Sequence, residues 1–537
     1  MLRSALPPRV LSPTPSCTRQ ASHLPASLSS SSSPPPPPVT SLYSQPSTSS
    51  LSPSSTNNPC WSDPSYTSRY RSPSRHDALP LLPKRQLETS AKVAAAPALK
   101  PRTAGRIREN RLEMERLWSG GDFTPPIPLE NYRAQTTRPS HALLFPGSGS
   151  QYVGMGHFLK DEAAVKGVWE EAEDALAGFE DWRRGLKLHE MGGELGELGR
   201  KLDATEGKRS RETRLRDVVF EGPQDELTRS SNAQPAILIT SIAFLRALER
   251  ERGIPIASTS SLILGHSSGE YSAAVAAGAL SLRDGVRLTR LHGLLTHYAL
   301  SLPSIGLSPD LDAPPSLRGQ MSALVLNPGH SHAELAEVIR NIRANRPKQQ
   351  GSEGTVEVAS FNSRTQVVLA GSRDGILRAS EVLRELEIAS RAADLPVSAP
   401  FHCSFMQPAA QGMQAALTSP SISLHTPSSP LVSGLDASLI TTPSSLVSNL
   451  VAQISLPVRW STCLSAVTAQ HGIRRLVFLG PGQALANLAR RDAKLVKEAE
   501  VAAGKERVEE DDVEVISVAT GKDMDQLKER WEKEDGA

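Results

Sequence analysis

Cysteine is scarce in this chain of 537 residues, which holds only Cys17, Cys60, Cys403 and Cys463. None sits at a C-x-x-C or other metal-ligand spacing, so a zinc or iron–sulfur framework is not expected. The four are read as free thiols in a reducing compartment. Aromatic residues make up only 4%, and no basic stripe is interleaved with them, which argues against a nucleic-acid partner. The net charge is +2, and both signs are interleaved after residue 100. No apolar run approaches the ~20 residues of a membrane span, and the chain is expected to be soluble. Acidic residues are missing altogether before Asp63.

That last absence has a counterpart. Arg3, Arg9 and Arg19 lie in a stretch, residues 1–100, dominated by Ser, Pro and Thr and including "SSSSSPPPPPVTS". Such a segment has too little apolar surface to offset the entropy lost on ordering, so it is expected to be disordered. Hydroxyl-rich, arginine-bearing and acid-poor composition without a continuous apolar core fits an organelle transit peptide. The expectation is a mitochondrial matrix protein, with a cytoplasmic protein carrying a Ser/Pro tail as the alternative. Residues 101–140 read as a lead-in: "RIRENRLEMERLW" has a helical pattern, and prolines extend "FTPPIPLENY".

The remaining chain is long enough for one large core with a smaller subdomain. "HALLF" (141–145) is a buried-strand candidate that runs into a Gly-rich loop, "PGSGSQ". "DEAAVKGVWEEAEDAL" and "QPAILITSIAFLRALERERG" read as helices, the second ending at Gly253. "SLIL" is a short strand, and "YSAAVAAGAL" and "LRDGVRLTRLHGLLTHYAL" are helices. This alternation predicts an α/β sheet covered by helices. Between 320 and 397 the order becomes β-α-β-β-α-β, a ferredoxin-like unit. "RLVFLGPGQALANLARR" returns to strand, Gly-rich turn and helix.

The expected fold class is therefore α/β. A hydrolase-like parallel-sheet subdomain (141–319 and 398–500) carries an inserted ferredoxin-like subdomain (320–397), and 501–537 is a C-terminal tail. Within that tail, "EVISVATGKDMDQLKERWEKE" reads as a late strand and an exposed helix. Residues 180–214 and 301–318 read as solvated insertions without chemistry.

Gly265-His266-Ser267-Ser268-Gly269 fits G-x-S-x-G. In a nucleophile elbow a strand turns sharply into a helix, which requires small flanking residues. The serine then stands at the sheet edge, where backbone N–H groups face a developing oxyanion. The spacing selects Ser267 over Ser268. A bland Gly/Ser turn is the competing reading. Among the 13 histidines, His402 in "LPVSAPFHCSFMQP" follows a strand and a proline-constrained loop, a place from which it could reach such a serine. "FPGSGSQYVGMG" lacks the Lys-Ser/Thr of a P-loop and the spacing of a dinucleotide fingerprint, and its N–H groups would serve an oxyanion equally well.

Taken together, "LLFPGSGSQYVGMG", "EGPQDELTRSSNAQPAILITSIAFLRAL", "GHSSGEYSAAVAAGAL", "SFNSRTQVVLAG", "PVSAPFHCSFMQPAA", "SLPVRW" and "GPGQALANLARR" resemble the malonyl-CoA:acyl-carrier-protein transacylase family, in that family's order. The resemblance covers roughly 141–492. It implies Ser267 as nucleophile and His402 as general base, oriented by a backbone carbonyl rather than a carboxylate. It also implies an oxyanion hole from the backbone N–H groups of Ser148 and Ser268, the family usually having Gln where Ser148 stands. Gln234 falls on an active-site glutamine and Asn362 on a pocket-lining asparagine. The partners implied are malonyl-CoA and acyl carrier protein, in a ping-pong transfer for fatty acid synthesis. No metal or redox cofactor is implied.

One departure concerns specificity. The family has an arginine 25 residues after the nucleophile that pairs with the malonyl carboxylate, and here that position is His292. Arginine is always ionised and binds a carboxylate through two parallel bonds, whereas histidine titrates near neutrality and offers one. Arg290 and Arg287 point about 160° and 140° away from His292 around the helix. Three alternatives stay open: transfer of an acyl group without a carboxylate, a non-catalytic carrier-protein-binding relative, and a hydrolase using Asp374 or Asp394 as the acid.

Overall fold

The run "HALLF" has no polar face, and it becomes a central strand with all five residues buried, as expected of a parallel strand covered on both sides. In the computed structural model, residues 140–204, 214–308, 313–314, 317–345, 354–504 and 512–535 are described. The leader 1–100, nearly all of the lead-in, and residues 205–213 and 309–312 of the two insertions lie outside them.

Ten strands occur among the described residues: β1 (His141–Phe145), β2 (Leu262–Gly265), β3 (Gly319–Leu326), β4 (Val356–Phe361), β5 (Gln366–Ser372), β6 (Ala389–Asp394), β7 (Leu431–Val432), β8 (Leu439–Ile440), β9 (Arg475–Leu479) and β10 (Glu514–Val518). Six form one sheet in the order β10-β9-β1-β2-β7-β8. All its pairs are parallel except β7 with β8. Side chains alternate between two cores. Leu143, Phe145, Ile263, Val477 and Leu479 face one, and Ala142, Leu144, Leu262, Leu264 and Phe478 face the other.

Eleven longer helices accompany the strands: α1 (Ala163–Ala177), α2 (Gly193–Ala204), α3 (Ser230–Arg246), α4 (Gly269–Ala276), α5 (Leu282–Ala299), α6 (His332–Ala344), α7 (Arg373–Glu385), α8 (Gln407–Leu417), α9 (Pro443–Ala452), α10 (Ala484–Ala502) and α11 (Gly521–Asp535). Helix α3 is buried along almost its whole length and packs against α1, α4 and α5.

The second sheet has the order β4-β5-β3-β6, all antiparallel, the ferredoxin-like arrangement expected from the β-α-β-β-α-β order. Leu324, Val367 and Leu369 pack against Leu335, Ile339, Ile376 and Leu383 of α6 and α7. The alternate residues Met321, Ala323, Val368 and Ala370 belong to the large core instead. This period-two division ties the two subdomains together. The outer edge of β4 is also used: Phe361 N–H donates to the Val458 carbonyl at 2.8 Å, and Val458 N–H to the Ala359 carbonyl at 2.9 Å.

Two expectations are corrected. Residues 501–537 are not a tail, because β10 pairs with β9 in parallel and α11 buries Met524, Leu527 and Trp531 in the main core. Arg475 fixes this addition by donating to Glu514 at 2.7 Å and to Glu534 at 2.9 and 2.7 Å. Nor are the inserted stretches simply solvated. Leu188, Leu198 and Leu202 are buried, and so are Leu302, Ile305 and Leu307. α2 packs on α5 and α8.

Candidate active site

The register places the site. Phe145, the last residue of β1, is paired with Gly265, the last of β2. The loop after β1 and the elbow after β2 therefore leave the same carboxyl edge of the sheet, where open α/β folds bind ligands. The elbow needs its glycines for close approach. A Cβ on Gly265 would lie 2.1 Å from the Gly269 carbonyl carbon, and one on Gly269 2.6 Å from the carbonyl oxygens of Phe145 and Pro146. Between them Ser267 is held at φ 55°, a left-handed conformation that non-glycine residues adopt seldom and at a cost.

His402 is the second strained residue, at φ 59°, and it meets the first. Its Nε2 lies 2.7 Å from Ser267 Oγ across 135 residues of sequence. Its Nδ1 lies 2.6 Å from the carbonyl oxygen of Gln453, directly after α9. A carbonyl can only accept, so the proton is on Nδ1, and Nε2 is left to accept from the Ser267 hydroxyl. Burial pushes the His402 imidazole down to about 4, with the Gln453 bond opposing and the neighbouring His266 adding to the depression. The base is therefore neutral and ready at ordinary pH.

His266 stands at the edge of this pair. Its Nε2 donates to Asn362 Oδ1 at 2.8 Å, and its ring packs edge-on against Trp460 at 5.3 Å. Asn362 Oδ1 also accepts from Ser360, and its amide nitrogen donates to Gln366 Oε1 at 3.3 Å. Asn362 thus joins β4 of the ferredoxin-like subdomain to the elbow, with its polar atoms already engaged. Glu270, in the first turn of α4, is 4% exposed. It accepts from the Gly434 amide at 3.1 Å and from the Asn449 side chain. Burial pushes its carboxyl up to about 8, against those two bonds.

His292, on α5, interacts electrostatically with His402. It is 5% exposed, its ring sits 6.0 Å from that of Tyr271, and its Nδ1 has no partner. Burial, reinforced by His402, pushes it down to about 3. Gln234 on α3 is buried with Oε1 unpartnered. Arg290 donates to the Ser231 carbonyl at 2.7 Å and to Asn232, and Arg287 lies over Trp182. Neither arginine therefore stands in for His292. Ser148, on the loop after β1, reaches Ser268: the Ser148 amide donates to Ser268 Oγ at 3.1 Å, and the two hydroxyls are 3.3 Å apart.

The structure therefore joins Ser267 to His402 and Ser148 to Ser268, places His292 within electrostatic reach of His402, and uses Asn362 as a brace. Gln453 is the site residue that no side-chain motif could announce, because its contribution is a carbonyl every residue has. Its signal is only its place, just before "SLPVRW". Asp394 is half-exposed and accepts from Gln320 and Ser322, and the Nδ1 partner of His402 is not a carboxylate. A Ser-Asp-His hydrolase triad is not what this geometry builds.

Comparison with known proteins agrees with this chemistry. Residues 142–301 match the family model described as an acyl transferase domain. The chain is 31% identical over 357 residues to the malonyl CoA-acyl carrier protein transacylase of Bacillus subtilis, an alignment covering 66% of this chain and 91% of that protein. The crystal structure of the acyl-carrier-protein S-malonyltransferase of Bartonella henselae superimposes with a TM-score of 0.54 at 30% identity, covering 73% of this chain and 99% of that one. A type II PKS acyl-carrier protein in complex with its malonyl-transacylase gives a TM-score of 0.55 at 26% identity, covering 73% and 99%.

Proposed function

The chain belongs to the malonyl CoA-acyl carrier protein transacylase family, and from that premise we propose that it moves a malonyl group from malonyl-CoA to the phosphopantetheine thiol of acyl carrier protein, for fatty acid synthesis. The observation that carries the reading is the Ser267–His402–Gln453 carbonyl relay. Ser267 Oγ attacks the thioester carbonyl as His402 Nε2 takes the hydroxyl proton. The oxyanion collapses, the bond to CoA sulfur breaks, and His402 returns the proton to the departing thiolate. An ester on Ser267 remains. The carrier thiol then gives its proton to His402 and attacks that ester, and the proton goes back to Ser267 as the acyl group leaves. These steps call for no metal or redox cofactor.

His292 is assigned to the acyl pocket, as a buried group that interacts electrostatically with His402 and has an unsatisfied ring nitrogen, and Gln234 to its wall. The direct test is trapping. Full-length protein mixed with labelled malonyl-CoA and quenched in acid should carry one label on Ser267, and holo acyl carrier protein should discharge it. A label taken from acetyl-CoA but never from malonyl-CoA would refute the malonyl assignment. Absence of any label would leave a carrier-protein-binding relative.

The composition before Asp63, with Arg3, Arg9 and Arg19 and no acid, supports the mitochondrial matrix as the place of this reaction. Residues 1–140 fused to a fluorescent protein should direct it to mitochondria. Uniform cytoplasmic fluorescence would refute that placement.

A further inference from the structure

The second serine of the elbow spends its hydroxyl in an uncommon place. Ser268 precedes the first turn of α4, where a serine side chain ordinarily accepts from the helix's own amides, yet it makes no such cap. Its Oγ accepts instead from the Ser148 amide at 3.1 Å and sits 3.3 Å from Ser148 Oγ, in a side chain only 4% exposed. On the acyl-transfer reading, the Ser148 amide is one of two donors to the oxyanion of an acyl group on Ser267, one from the elbow and one from a neighbouring loop. An amide has a single proton, and its acceptor lies along the N–H axis about 3 Å away. Ser268 Oγ therefore occupies the position that the oxyanion must take at this donor.

We propose that the Ser268 hydroxyl is a displaceable cap on the oxyanion hole, holding the Ser148 amide in the resting enzyme and releasing it to the oxyanion as the tetrahedral intermediate forms. The proposal rests on the acyl-transfer reading of the site. A neutral thioester carbonyl accepts no better than a hydroxyl, so it gains nothing by displacing the cap. An oxyanion forms a charge-assisted bond about twice as strong, and it does gain. The second donor is thus withheld from the bound substrate and engaged only as charge develops on the carbonyl oxygen. The displaced hydroxyl is not stranded, because Ser148 Oγ is already within reach.

The test compares malonyl-enzymes of the wild-type full chain, Ser268→Ala and Ser268→Thr, formed from malonyl-CoA carrying carbon-13 in the thioester carbonyl. In Ser268→Ala the ester carbonyl gains the Ser148 amide in the ground state. Its infrared stretch should fall to lower wavenumber than in wild type. KM for malonyl-CoA should fall by about two- to tenfold with kcat unchanged, because loss of the cap favours bound substrate and transition state alike. Ser268→Thr keeps the hydroxyl and should restore both the stretch and KM. An unshifted stretch in Ser268→Ala overturns the cap. So does a loss of kcat with KM unchanged, which would make the hydroxyl a direct donor. If wild type forms no acyl-enzyme, the acyl-transfer reading fails and the cap with it. An acyl-enzyme that forms without the shift fails the cap alone.

Discussion

Ser267→Ala is expected to leave no trappable acyl-enzyme, and His402→Ala to slow acylation by about 10²–10⁴-fold, the usual worth of a positioned general base. Both residues are held in left-handed backbone conformations, a cost the fold bears only where the geometry is fixed from several sides. The pH profile should carry the imprint of burial. His402 works as a base when unprotonated, and its imidazole is pushed down to about 4. Acylation by an acyl-CoA whose acyl group is uncharged, read as the burst of CoA release, should therefore stay level from pH 8 to about 5 and fall only as pH drops through about 4. An acid limb centred near 6.5, where an ordinary histidine titrates, would refute the assignment. Stability changes in the same direction. With native values below the ordinary one, the unfolded chain binds the extra protons, so the contribution of His402 and His292 is complete above about 6.5 and is lost as pH falls toward the native values. Near-UV circular dichroism across the same range separates the two effects.

Much of this site could be read from the residue string because its hardest constraints are local. The elbow needs small residues at fixed spacing, since Gly265 and Gly269 sit against backbone, and that requirement is visible in five letters. The ferredoxin-like unit was legible in the β-α-β-β-α-β order of its elements between 320 and 397. Long-range facts were not. Nothing local says that the strand at 514–518 completes the sheet beside β9, because its burial is supplied by α11 and by the ion pairs of Arg475 with Glu514 and Glu534. The glycines and charges of 180–204 masked the leucines that pack on α5 and α8. Ser268 was legible only as a backbone donor. Its hydroxyl acquires meaning when the loop after β1 is laid beside the elbow, 120 residues away in sequence.

The other large effect is expected at His292, where selectivity for malonyl over acetyl should depend on pH. His402 and Tyr271, which interact with its ring, are not cations at neutral pH, so neither offers an entering carboxylate a fixed positive charge. At about 4 Å and an effective dielectric near 20, a carboxylate stabilises an imidazolium by about 4 kcal/mol, or about 3 pKa units. That raises His292 from about 3 in the free enzyme toward the ordinary histidine range with malonyl bound. Above that range the ring stays mostly neutral and gives the carboxylate a single hydrogen bond. As pH falls from 8 to 6 a growing share of complexes takes up a proton and forms the ion pair. The ratio of kcat/KM for malonyl-CoA to that for acetyl-CoA should rise by about twofold over this span, with acetyl-CoA itself nearly level. His292→Gln, which cannot titrate, should flatten the ratio. His292→Arg places a permanent charge with two parallel donors there and should lower the KM for malonyl-CoA at pH 8 by about tenfold or more, while also flattening the ratio. A wild-type ratio that does not move with pH, or an acetyl-CoA profile that moves in parallel with it, would place the carboxylate away from His292.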